Sequence, residues 1–217
     1  MSPRLRLAVL LLAGALALVL APACATTPVA RDPAPLEISG DLGRSFFVRQ
    51  RIHARFEGPE PGERRFETAL QSRCGELRLV ALSPFGLRLF SAVSRGGEIR
   101  VESLGGRPLP FAPEHVVRDI ERTFFRSPPV APGASETRSL VRAGEQVVET
   151  WRDGVLVSRE VRPAGAPESA KVVIRYEGPP QALGISPSVS LSNPAFRYDL
   201  SIENYAVEEL ECPSAEP

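Results

Sequence analysis

The sequence predicts a mainly β, α+β chain: a curved, partly closed antiparallel sheet of about eleven strands that holds one clear helix. Three observations carry this. From Phe46 onward the apolar period is two, the spacing of a strand with one buried and one wet face. Turn residues punctuate the successive runs. One stretch alone, residues 114–125, shows helical spacing, with an apolar side and a charged side. Open sheets of more than about ten strands curl or split, so eleven strands in one sheet imply curvature.

In the first strand Phe46, Val48, Ile52, Ala54 and Phe56 alternate with Arg49, Arg51, His53 and Arg55. The same signal recurs at about 65–72, 76–83, 87–94 and 98–103. Pro59 to Gly62, Cys74-Gly75, Pro84-Phe85-Gly86 and Gly96-Gly97 break the runs, which gives an antiparallel meander. In Glu114–Phe125, Val116, Val117, Ile120 and Phe124 fall on one side of a helix, while Arg118, Asp119, Glu121 and Arg122 fill the other. Glu114 and Arg118 are spaced to pair at i, i+4. Pro113 suits the first turn, and Pro128-Pro129 prevent continuation. Residues 127–137 read as a loop. Strands resume at about 137–142, 145–151, 154–162, 171–177, 187–192 and 196–208. Asp153-Gly154 is a hairpin signal. In the last strand Phe196, Tyr198, Leu200 and Ile202 alternate with Arg197, Asp199, Ser201 and Glu203.

The N-terminus reads as an export signal. Arg4 and Arg6 precede an almost wholly apolar run from Leu7 to Leu20, then Ala21-Pro22-Ala23 and Cys24. A cysteine at the first mature position is what lipoprotein processing requires. Its thiol takes a diacylglycerol and its freed amine a further chain, and at ~0.8 kcal/mol per buried CH₂ such chains hold a protein on a bilayer. Ala21-Pro22-Ala23 also fits ordinary secretory cleavage, which stays open beside lipidation of Cys24. An uncleaved anchor fits worse, because the run is shorter than the ~20 residues of a spanning helix. The resulting division is 1–23 signal peptide, 24–40 lipidated N-terminus and Pro-rich tether, 41–212 β domain and 213–217 polar tail. Removing the first 23 of 217 residues leaves 194, enough for one domain with a sizeable core. Ala25 stands after the cysteine in place of the Asp associated with inner-membrane retention, which points to the periplasmic face of the outer membrane.

Composition excludes little but excludes it clearly. With 26 basic and 26 acidic residues the chain is formally neutral, so nothing invites nucleic acid. Beyond Cys24, Cys74 and Cys212 form an even pair in an oxidising compartment, which suits either a disulfide or two separate thiols. His53 lies on the charged face of the first strand and His115 opens the helix, facing Asp119; both read as surface or rim residues. Neither has a second His at metal spacing, so no metal site is expected. There is no G-x-S-x-G elbow and no Gly-rich phosphate loop. Glu208, Glu209 and Glu211 read as a solvated strand end. No catalytic residue, no cofactor and no polar cluster in the cavity are expected, so the reading is non-enzymatic. Phe85 is unusual for a tight Pro-x-Gly turn, whose tip ordinarily carries small polar residues. It either folds back on the domain or points outward as a contact for membrane or cargo.

Residues 46–208 resemble the LolA/LolB-like envelope proteins, more closely a group of uncharacterised outer-membrane lipoproteins similar to the receptor branch. Leu82-Ser83-Pro84-Phe85-Gly86 resembles that receptor's loop with a protruding apolar residue, with Phe85 in its place. Helix 114–125 sits where the family places its first packed helix. Trp151-Arg152-Asp153-Gly154-Val155 and Lys171-Val172-Val173-Ile174-Arg175-Tyr176 resemble the paired later strands, and the run from Phe196 to Tyr205 the closing one. The single helix, loop 127–137 and the two extra cysteines depart from the family pattern. The resemblance implies a half-open β-barrel capped by one or a few helices, with an apolar cavity for acyl chains. The expected function is therefore a lipid-anchored outer-membrane protein that binds lipid or acyl chains and acts in lipoprotein or lipid transfer. The alternative is a structural or accessory lipoprotein that docks on an envelope biosynthesis or transport complex, its groove filled by side chains.

Overall fold

The first strand sits in the middle of the sheet, and the last strand returns to lie beside it. In the computed structural model the strands are β1 (Phe46–Phe56), β2 (Gly62–Arg73), β3 (Glu76–Leu82), β4 (Arg88–Arg95), β5 (Glu98–Ser103), β6 (Glu136–Arg142), β7 (Glu145–Arg152), β8 (Val155–Pro163), β9 (Val172–Glu177), β10 (Ser188–Asn193) and β11 (Tyr198–Glu209). Among the described residues one α-helix, α1 (Pro113–Phe124), separates β5 from β6. The structure describes residues 42–57, 61–103, 113–128 and 130–212. The signal peptide, Cys24, the tether and the polar tail lie outside the described residues.

All eleven strands form one curved, unclosed antiparallel sheet in the order β5-β4-β3-β2-β1-β11-β10-β9-β8-β7-β6. It is two meanders laid side by side, β1–β5 and β6–β11, joined where β1 pairs β11. Because β5 and β6 are the two edges, the connection between them carries α1 across the concave face, where it packs against both meanders. The alternation expected for β1 holds: Phe46, Val48 and Ala54 are buried, while Arg49, Arg51 and Arg55 face outward and are exposed.

Gln50 also takes an inward position. It is buried, and it accepts from Thr68 Oγ1 of β2 at 2.8 Å and donates to Asn204 Oδ1 of β11 at 2.8 Å. Asn204 in turn donates to the Ser186 carbonyl at 2.7 Å. At this row β11 carries one extra residue: Arg49 pairs Ala206 and Gln50 pairs Asn204. The bulge leaves Tyr205 between them on the convex side, with Arg49 and Arg51 stacked on its ring at 5.2 and 4.6 Å.

Turns follow their residues. Cys74-Gly75 and Asp153-Gly154 each hold two consecutive positive φ values, the hairpin geometry that follows strand twist. Gly154 also meets the returning 127–137 loop. A Cβ there would lie 3.1 Å from the Pro132 Cα, and the Gly154 N–H donates to the Ala134 carbonyl at 2.8 Å.

Cys74, at the β2–β3 turn, and Cys212, just past β11, are joined as a disulfide with Cα atoms 5.6 Å apart and a sequence separation of 138. Ser45 Oγ lies 3.3 Å from Cys212 Sγ. The bond ties the end of the central seam to a hairpin two strands away. Thiol counting on the denatured, unreduced protein should find neither cysteine free, and C74S/C212S should cost about 2–5 kcal/mol in urea unfolding. Two reactive thiols, or an unchanged unfolding midpoint in the double variant, would contradict this assignment.

Candidate functional site

The concave interior, divided by α1, is the candidate site. On one side lies an apolar cavity of about 60 Å³. Its sheet wall includes Ile52, Phe56, Phe66 and Phe90, and its helix wall Val116, Ile120 and Phe124. These helix residues are the ones the amphipathic pattern marks as apolar. Phe124 meets Phe46 at 5.8 Å between ring centroids and Phe56 meets Tyr198 at 6.1 Å. The volume falls well short of the roughly 300–1,000 Å³ of small-molecule sites, because the helix side chains occupy most of the groove.

The strand register places the β3–β4 turn at the same end of the sheet as Phe56, Phe66 and Tyr198: Leu82 pairs Glu67, and Phe66 pairs Ile52. Phe85 is 91% exposed at the turn's tip, with Leu87 at 63% beside it. It points outward and does not fold back. Ser83 builds this geometry. Its hydroxyl accepts the N–H groups of Phe85 at 3.3 Å and Leu87 at 3.2 Å, its carbonyl accepts that of Gly86 at 2.9 Å, and Gly86 takes φ +76°. Pro84 and Phe66 border one surface hollow, and Phe66 also walls the apolar cavity. At the helix start His115 stacks on Phe196 at 3.5 Å, half-buried. Burial, then the charge of Arg118, holds its pKa below the ordinary value and favours the neutral ring. His53, by contrast, lies 3.0 Å from Glu63 on the exposed face.

The charged residues of α1 overturn two expectations. Asp119, Glu121 and Arg122, read above as the wet face of the helix, are buried, and the interior does hold a polar cluster. Arg122 donates to Asp119 Oδ1 at 2.6 Å and to Glu145 Oε2 of β7 at 3.1 Å. Asp119 also accepts from Asn193 at 2.9 Å and from the Tyr198 hydroxyl. Glu149 of β7, fully buried, accepts from Arg159 of β8 at 2.7 and 2.9 Å, from Arg138 of β6 at 2.9 and 3.0 Å, from Trp151 Nε1 at 3.2 Å and from Ser127. The helix's charged residues face inward because the sheet meets them: β7 presents Glu145 to Arg122, and Asn193 of β10 and Tyr198 of β11 reach Asp119.

The same cluster holds the end of the helix. Arg159 donates to the carbonyls of Arg122 at 2.5 Å, Thr123 at 3.3 Å and Phe125 at 3.3 Å. Tyr176 donates to the Thr123 carbonyl at 2.9 Å, and Arg44 to that of Phe124 at 2.7 Å. The last-turn carbonyls, which a helix leaves without intrahelical partners, are taken by side chains from the sheet and from the segment before β1, with cations at the negative end of the dipole.

The electrostatics describe paired groups. Burial opposes charge on Arg122, but its hydrogen bond to Glu145 and the attraction of Asp119 and Glu145 outweigh it and hold the guanidinium more firmly protonated. Burial and the adjacent Asp119 charge push the Tyr198 hydroxyl up. For Glu149 burial alone would raise the pKa, yet Arg159, Ser127 and Arg138 outweigh it and hold the carboxyl below the usual range. Among the described residues no group of three or more His, Cys, Asp or Glu is arranged to hold a metal ion, and no helix is long and apolar enough to cross a membrane. Glu145, Glu149 and Arg159 are the residues that sequence reading missed. Their signal was parity: Glu145 and Glu149 share the inward face of Val147, and Arg159 that of Val161.

Glu149→Gln should cost about 3–5 kcal/mol in urea unfolding, since Arg159 would be left buried without its charge partner. The unaltered chain holds this carboxyl more acidic when folded than when unfolded. Its contribution is therefore complete above the ordinary value of 4.5 and is lost as pH falls through the lower folded value. The variant should show a shallower acid loss of stability below pH 4.5. A variant within about 1 kcal/mol of the parent would mean that the network holds nothing in place.

Residues 48–206 match the family model described as a protein of unknown function, DUF3261. No curated protein matches the sequence. Among solved structures the chain is similar to a LolA superfamily protein from Nitrosomonas europaea, at 12% identity and TM-score 0.49, covering 82% of this chain and 93% of that one. It is similar to an outer membrane lipoprotein-sorting protein domain from Vibrio parahaemolyticus at 11% identity and TM-score 0.42, covering 80% and 89%. A DUF1329 family protein from Desulfovibrio piger stands at 10% identity and TM-score 0.39, covering 81% and 93%. Likenesses this distant are of outline and carry no function across. The family match spans most of the sheet and all of α1, and on it the chain belongs to the DUF3261 family of proteins of unknown function.

Proposed function

We propose that the chain is a non-catalytic lipoprotein, anchored through Cys24 to the periplasmic face of the outer membrane, that binds lipid or acyl chains in the apolar half of its sheet. One observation carries this reading: the apolar interior and the exposed Phe85 tip share one end of the sheet. A Phe beside a Leu at a tip enters the headgroup–acyl boundary or an acyl-bearing cargo, and the aromatic wall behind it receives a chain. Apolar burial at ~25 cal/mol per Å² drives that transfer. In the closed arrangement Val116, Ile120 and Phe124 take the place of the chain, so binding requires α1 to yield. Arg122 pairs with Asp119 and Glu145, and Arg138 and Arg159 pair with Glu149, and this engagement supports a non-catalytic reading.

The cavity of about 60 Å³ favours a second reading: an accessory lipoprotein whose groove is permanently filled and whose Phe85 tip docks on an envelope protein. A fluorescent acyl probe separates the two. Binding to the whole chain, with displacement by phospholipid, supports the first; absence of binding favours the second.

Two outcomes test the anchor and the tip. Cys24→Ser should release the exported protein into the soluble periplasmic fraction, and a variant still membrane-bound after high-salt washing refutes lipidation. Phe85→Glu should leave stability within about 1 kcal/mol, as exposed substitutions do, while weakening liposome or acyl-probe binding by the Cys24→Ser chain. Unchanged binding by this stable variant removes the contact role.

A further inference from the structure

α1 leaves a second cavity on its other side, of about 240 Å³, at the end of the sheet where β1 begins and opposite the Phe85 turn. Arg44, Arg126 and Arg159 line it together with Trp151, Leu156 and Leu183, and among the described residues no carboxylate does. The wider charge balance is lopsided. Arg138 and Arg159 already engage the buried carboxylate of Glu149, while Arg159 and Arg126 stand close enough to Arg44 to repel its charge. The C-terminal dipole of α1 offsets only about half a charge.

Among the described residues Arg44 has carbonyl partners and no carboxylate. It donates to the Phe124 carbonyl at 3.0 and 2.7 Å and to the Leu183 carbonyl at 2.8 Å. That uses three of the five N–H groups of a guanidinium. Burial pulls Arg44 down to about 10. The Tyr176 hydroxyl opposes this, while Arg159 and Arg126 push the same way. The group is thus still a cation at neutral pH, desolvated, with carbonyl dipoles in place of a counter-ion. A desolvated cation without a counter-ion is costly, and an anion arriving in such a site gains a charge-assisted bond in a weakly screened setting. Most of the remaining wall is apolar, with Thr123, Ser127, Tyr176 and Ser186 as its polar members, which suits an anion that brings an alkyl chain with it.

We propose that this cavity binds a single-chain amphiphile with an anionic head. The head, carboxylate or phosphate, sits on Arg44 and Arg126, and the chain lies against Trp151, Leu156 and Leu183. Thr123 and Phe124 of α1 wall both this cavity and the apolar one, but this proposal does not depend on acyl binding at the Phe85 end.

Trp151 is the sole tryptophan of the sequence, so intrinsic fluorescence reports on this wall. The whole chain carrying Cys24→Ser is titrated with laurate, dodecyl phosphate, dodecanol and inorganic phosphate, the amphiphiles below their micelle concentrations. Laurate or dodecyl phosphate should shift Trp151 emission and bind at least about tenfold tighter than dodecanol and than inorganic phosphate. The tighter of the two identifies the head. Arg126→Gln, at an exposed residue, should weaken that binding at least about threefold without moving the urea midpoint. Arg44→Gln should weaken it about tenfold; if that variant does not fold, the ligand comparison and Arg126→Gln decide. Phe85→Glu should leave this binding unchanged, which separates it from binding at the other end. Dodecanol matching laurate removes the cationic site, and inorganic phosphate matching dodecyl phosphate removes the chain-binding wall. Emission that stays silent through saturation, or Arg126→Gln binding like the parent, overturns the proposal.

Discussion

The molecule depends on the pairing of its first strand with its last. Each meander is made of neighbours in sequence and closes by hairpins alone, but neither encloses an interior by itself. Only when β11 lies along β1 do the two become one curved sheet with a concave face for α1 to cross. A register slip of one residue would turn every inward side chain of a strand outward. The Thr68–Gln50–Asn204 row opposes such a slip. It joins three strands through buried amide and hydroxyl groups, and a displaced register would leave them unpaired at about 1–3 kcal/mol each. The bulge beside it sends Tyr205 outward.

The second constraint is the buried charge beneath α1. An amphipathic helix ordinarily lays its apolar stripe on the core and its charged face in water. Here the sheet wraps both faces, so the charged face needs partners, and β7, β10 and β11 supply them. Such a network is weak evidence for stability, because apolar replacements of the same shape often do as well. What it does supply is position. Arg122 reaches Glu145, Arg159 reaches the final carbonyls, and both fix the rotation and axial placement of the helix. That placement sends Val116, Ile120 and Phe124 into the apolar half.

The two ends of the concave face consequently differ in chemistry. One is aromatic and aliphatic, with Phe85 and Leu87 leading into solvent. The other is cationic, where Arg44 and Arg159 meet the end of the helix. A helix fixed between them separates apolar from cationic chemistry within one sheet, and its movement would alter both.

Much of this was legible beforehand, and the reason is locality. The strands came from alternation within a single run, as in Phe46 to Phe56, and the hairpins from dipeptides such as Cys74-Gly75 and Asp153-Gly154. Both act within a few residues of chain. α1 was legible from its apolar stripe and its prolines. The outward Phe85 was readable as one of two choices, but the Ser83 hydroxyl that builds its turn was not. The fate of the charged residues was not legible. Asp119 and Arg122 look like a solvated helix face, and Glu149 and Arg159 like the polar positions of half-buried strands. Whether a carboxylate faces water or a guanidinium depends on which distant strands curl around it. By itself the sequence determined the elements, their order and the antiparallel character of the sheet. The tertiary structure decided which charged faces are interior, because burial and charge pairing are set by contacts between residues far apart in the chain, which no local pattern records.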